Sequence, residues 1–136
     1  MGKRLNNECL TNKRSKEREI MKRDMDVIRL LLLQLEGSAK ATEDLKTYDE
    51  PTVVYNASLL VDAGLVEGAV ARGGDNSPIG VAMNHMTWSG HDFLDAARDD
   101  NLWKKAKQNV MKPAASYTFE IVKAYLKAEV MKHIGG

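Results

Sequence analysis

His91, Asp95 and Asp99 stand four residues apart, a spacing that would line three metal-ligating side chains along one side of a helix. The set has little around it to complete a site. Arg98 lies between the two aspartates, lysines follow at 104 and 105, and no second His/Asp cluster can be placed beside it from sequence. His85 and His133 have no visible partner. Ser89-Gly90-His91-Asp92 holds the residue types of a nucleophilic relay, but neighbouring helical positions point in different directions and cannot pass a proton along that line. The one glycine-rich loop, Arg72 to Gly80, has strand-like sequence on both sides, so it lacks the helix N-terminus that a phosphate-binding loop uses. The residues therefore point away from catalysis: no enzyme, no metal and no cofactor is expected.

The elements that would position these residues are legible from local signals. Asp24 to Glu36 repeats Met25, Ile28, Leu32 and Leu35 at helical spacing, and Gly37 stops it. Thr42 is placed to cap a short second helix through Leu45 and Lys46. A third helix begins near Pro51, whose missing N–H has no partner to lose in a first turn, and ends by Gly64. Leu65 to Ala71 and Ile79 to Met86 then read as two strands joined by a turn-rich loop. Thr87 caps a fourth helix with Asp92 near its start and Phe93, Leu94 and Ala97 inward, and Asp99 to Asn101 interrupt it. Leu102, Trp103, Ala106 and Val110 continue as helix to Pro113. Thr118 caps a last helix whose Phe119, Val122, Leu126, Val130 and Ile134 form one stripe.

This order gives a mainly α fold with a small β-hairpin (α+β), a winged helix-turn-helix with additional C-terminal helices over about residues 97–134. Residues 21–136 are expected to form that domain, behind a basic arm over residues 1–20. At 136 residues and 43% hydrophobic, one domain with a modest core is the default. The single cysteine, Cys9, excludes a disulfide framework, and no apolar run is long enough to span a bilayer. A cytoplasmic protein with no membrane contact is the expectation.

A formal charge of only +1 does not mark a nucleic-acid binder. In a winged helix the third helix enters the major groove and basic groups hold the flanking phosphates. The candidate DNA- or partner-binding residues are Thr52, Val53, Val54, Tyr55, Asn56 and Ser58 on the third helix, and Arg72 and Asn76 in the wing. Lys13, Arg14, Lys16 and Arg18 of the arm complete the set. None of the helix residues is basic, and Asp49, Glu50 and Asp62 border them, whereas specific binders commonly make about six to ten phosphate contacts. Lys104, Lys105, Lys107 and Lys112 would supply a second patch if they share that side. The apolar trailing helices offer a surface for packing within the chain or for a homodimer.

Met21-Lys22-Arg23-Asp24-Met25-Asp26 with its following helix, Leu59 to Gly68, and Thr87 to Asp100 with Trp103-Lys104-Lys105 together resemble a family of short bacterial and prophage proteins classed as a domain of unknown function. The likeness covers about Met21 to Ile134. It implies a winged helix with extra C-terminal helices and a mobile-element setting, and it brings no catalytic residues. Members start at the position of Met21, so the arm stands outside the shared pattern. Two functions follow as expectations: a DNA-associated transcriptional regulator, or a protein-interaction module such as a phage-encoded modulator or inhibitor of a host protein.

Overall fold

A computed structural model describes residues 22–113 and 117–135, which fall into two compact units divided between Met86 and Thr87. In the first unit, helix α1 (Met25–Leu35) starts because Asp24 is extended and its carboxylate accepts from the backbone N–H groups of Asp26 and Val27, at 3.0 and 3.4 Å. It stops at Gly37, whose φ of 102° is open to a residue without Cβ. Val27, Ile28, Leu31 and Leu32 are buried along α1, which packs on the three elements that follow it in this unit apart from β1.

Helix α2 (Ala39–Leu45) is capped by Ser38, whose Oγ accepts from the Ala41 N–H at 3.1 Å. Thr42, expected as the cap, lies inside the helix and donates its hydroxyl to the Ser38 carbonyl at 3.3 Å. Both residues suit a cap, but the chain leaves α1 at Gly37, so Ser38 reaches the position first. Helix α3 (Glu50–Asp62) carries Pro51 in its first turn and ends before Gly64, at φ 77°. Strands β1 (Val66–Arg72) and β2 (Pro78–Met86) pair antiparallel, with Val66 opposite Met86 and Val70 opposite Val81, and the register shifts at Glu67/Gly68. Gly68 is required at that bulge: a Cβ there would run into the Ala82 carbonyl oxygen. The hairpin loop closes through Gly73 N–H to Ser77 carbonyl at 2.9 Å, with Asn76 at φ 67°. Both strands rest on α3, and β2 also meets α1.

The second unit is helical. Thr87 Oγ1 accepts from the Gly90 N–H at 3.2 Å and opens α4 (Trp88–Ala97). Asp99 takes the N–H groups of Asn101 and Leu102, at 2.9 and 3.0 Å, and opens α5 (Asp100–Ala106). The chain continues as a wider π turn over Lys107–Met111, where the Lys112 N–H reaches the Lys107 carbonyl at 2.8 Å. Helix α6 (Phe119–Gly135) begins at Thr118, whose Oγ1 accepts from Ile121 at 3.1 Å. Phe93 sits at the centre, 1% exposed, edge-on to Trp103 and to Phe119 with ring centroids 6.3 and 5.4 Å away. Leu94, Leu102, Ala106, Val122 and Leu126 fill the space around it.

Candidate recognition surface

Helix α3 and the hairpin carry the residues singled out for binding, and the structure divides them. Thr52, Val53, Val54 and Tyr55 are half-buried. Asn56 and Ser58 are interior, at 0% and 2% exposure, which corrects their placement on a binding face. The reason is the rotation of α3. It directs Asn56 at the chain entering α1, where its Oδ1 accepts the Asp24 N–H at 2.8 Å and its Nδ2 donates to the Lys22 and Thr52 carbonyls at 3.4 and 2.9 Å. A side chain whose amide is committed on both sides has nothing left for an adenine edge. Ser58 donates to the Tyr55 carbonyl at 2.6 Å, within the helix.

What remains outward on α3 is acidic and apolar. Pro51, Glu50 and Asp62 are exposed on α3, with Asp49 at its cap. The Asp49 carboxylate makes no cap bond, and no ion pair among the described residues engages Asp49 or Glu50. Arg72, the cation of the hairpin, reaches Asp62 at 3.3 Å and the Asn76 carbonyl at 3.2 Å, so its charge is partly answered inside the unit. Asn76 is an exposed turn residue. Ile79, next to the turn, is 66% exposed. Residues 22–86 hold six lysines and arginines against ten aspartates and glutamates, a formal charge of −4. Burial first, then Asp24, Asp26 and Asp44, push the Tyr48 phenol above its ordinary pKa. Lys13, Arg14, Lys16 and Arg18 lie outside the described residues.

In the second unit the chemistry weighed from spacing is dispersed. Helix α4 ends at Ala97, so Asp99 leaves the line of His91 and Asp95 and serves as the α5 cap, while Asp95 pairs with Arg98 at 2.9 Å. Among the described residues no three His, Cys, Asp or Glu side chains are grouped to hold a metal. Lys104, Lys105 and Lys112 are exposed, and Lys105 lies 3.9 Å from Glu129. A groove of about 560 Å³ has Ala96, Leu102 and Val130 along its apolar side and Arg98 and Lys105 on its rim. Those cations pair with Asp95 and Glu129, so their charge is partly answered within the unit.

Two features of this unit were beyond sequence reasoning. Asp92, read as a helix-start residue, is held from α6 by Lys127 at 3.0 Å and Lys123 at 3.4 Å. The Lys127 hydrogen bond, then that of Lys123, keeps its carboxyl below the ordinary range. No local pattern links residues 35 positions apart. Trp88 is 88% exposed at the start of α4, although aromatic type alone would have placed it inside.

Comparison with known proteins gives the chain relatives but no activity. Residues 22–116 match the family described as "Hypothetical protein (DUF2513)". An uncharacterized protein of Haemophilus influenzae (strain ATCC 51907 / DSM 11121 / KW20 / Rd) is 32% identical over 108 residues, covering 76% of this chain and 90% of that one. No solved structure matches.

Proposed function

The chain belongs to the DUF2513 family, and from that premise we propose that residues 22–86 are a winged-helix unit that recognises protein through the outer side of α3, with no catalytic role. The order α1, α2, α3, β1, β2, three helices followed by a hairpin, supports that reading. The observation that carries the reading is the charge of the face: a unit at −4, with no lysine or arginine anywhere on α3, repels a phosphate backbone whose neutralisation supplies most non-specific DNA affinity. Tyr55, Val54 and Pro51 offer an aromatic and apolar centre bordered by carboxylates, which suits an apolar and basic protein segment. A mobile-element setting, implied by the sequence resemblance, fits a modulator of a host protein.

The DNA-regulator reading keeps one specific support, the basic residues before Asp24. A salt titration of the full chain against labelled duplex DNA separates the two. The protein reading expects no binding at low salt, together with a nuclease-resistant partner that is lost on Tyr55→Asp while the far-UV spectrum is unchanged. Binding to DNA with a steep salt slope overturns it.

A further inference from the structure

We propose that two copies of this chain pair through α4 of the helical unit, the Trp88 ring of each entering the groove beside Ala96 of the other. The first support is Trp88 itself. It is 88% exposed, whereas Trp103 in the same unit is 2% exposed, and tryptophan is among the side chains that most often anchor an interface. The second is the groove. The hollow of about 560 Å³ continues along α4 into another of about 280 Å³, the two sharing Asp95, Ala96 and Val130. Ala96, Val130 and Met131 give it an apolar floor, and Met131 is 65% exposed there.

The third is that ring and groove match each other on one helix. Trp88, Asp92 and Asp95 recur at intervals of four and three along one side of α4, and Ala96 borders that line. Trp88 and Ala96 stand four residues on either side of Asp92, about 6 Å each way along the axis. A two-fold axis beside Asp92 therefore runs two α4 helices antiparallel and sets each Trp88 against the second copy's Ala96, the self-matching that an isologous interface requires. The fourth is charge. Antiparallel pairing brings the positive N-terminal end of each α4 to Asp95 and Asp99 of the other. Residues 86–90 are uncharged, and Asp95 is already paired with Arg98 at 2.9 Å, so the ring enters without leaving a buried charge unpaired. Asp92, which meets its own copy at the axis, is held by Lys127 and Lys123 at 3.0 and 3.4 Å. Each ring withdraws on the order of 200 Å² of its own surface and a similar area of groove wall. Two insertions bury about 800 Å², short of the roughly 1,200–2,000 Å² of a standard interface, so a reversible dimer that dissociates in the micromolar range is expected.

Sedimentation velocity of the full chain across the micromolar range should show a monomer–dimer equilibrium. Trp88→Ala should weaken it by at least about 30-fold, the loss expected of an anchoring tryptophan, and Met131→Glu, which alters the groove, should weaken it as well. Mixed together, these two variants supply one intact ring and one intact groove, so the mixture should associate more tightly than either variant alone. In the unaltered chain the Trp88 indole and Ala96 methyl resonances should shift together with concentration, a reading that does not depend on how any variant folds. A monomer throughout that range, a dimer indifferent to Trp88→Ala, or assemblies that grow past two copies overturn the proposal. So does a mixture no tighter than its components.

Discussion

Replacing Asn56 by alanine should unfold the first unit more readily while leaving its outer face chemically unchanged. The side chain is fully buried and makes three hydrogen bonds to backbone: it accepts from Asp24 and donates to Thr52 and Lys22. Alanine strands the Asp24 N–H, at about 1–3 kcal/mol for an unsatisfied donor, and forfeits the bond to Thr52, about 1 kcal/mol net. The Lys22 contact, at 3.4 Å, is long and adds little. Together the loss is about 2–4 kcal/mol, a large share of the roughly 5–15 kcal/mol typical of a domain. With a urea m-value of about 1–3 kcal/mol/M, the midpoint should fall by about 1–4 M. The assay is urea unfolding followed through NMR intensities of α1 and α3 amides, because both tryptophans, Trp88 and Trp103, lie in the other unit. Asn56→Asp keeps the acceptor but turns a second carboxylate oxygen toward two carbonyls. Protonation restores a donor there, so its folded pKa is raised and the deficit should shrink as pH falls below that value. A change within about 0.5 kcal/mol for Asn56→Ala, the range of an ordinary surface substitution, would refute the argument and return Asn56 to the recognition face.

Two further outcomes test the hairpin and the helical unit. Gly68→Ala drives a Cβ into the Ala82 carbonyl oxygen at the bulge and should cost about 1–3 kcal/mol, whereas Gly80→Ala, with open space around its Cβ, should be neutral or gain up to about 1 kcal/mol; thermal unfolding of the two proteins side by side gives the comparison. For Asp92, the bonds from Lys127 and then Lys123 lower the folded pKa, so its stabilising contribution is present above the ordinary carboxylate pKa and is lost as pH falls through the lowered one. A carboxyl-detected NMR titration should find Asp92 titrating below ordinary aspartates and returning toward them in Lys127→Met, and an ordinary midpoint in the unaltered protein would show that the α4–α6 ion pairs do not form.

The legible parts of this fold are those fixed by neighbours in sequence. Asp24, Thr87 and Thr118 each accept backbone N–H groups two or three residues on, and Gly37 and Gly64 take the left-handed φ that ends a helix, so composition within one turn was enough. The hairpin followed from two apolar stretches around a Gly, Asp, Asn and Pro loop. Thr42 shows the limit of that logic, since two equally good caps four residues apart are separated only by where the preceding helix stops. Asn56 shows a different limit: its amide can serve an adenine edge or a buried backbone equally well, and only the packing of α3 on α1 chooses. Asp92 and Lys127, 35 residues apart, could be joined only by the helix pairing itself.

Charge, finally, decides more here by distribution than by sum. The overall +1 conceals +3 in residues 1–21, −4 in residues 22–86 and +2 in the remainder, so the unit that carries the hairpin is the one least suited to phosphate. The same −4 that disfavours DNA favours a partner that carries positive charge. A partner that also brings an apolar anchor for Tyr55 and Pro51 gains area that lysines and arginines do not supply, so selectivity at this face should follow the apolar anchor more than the charge.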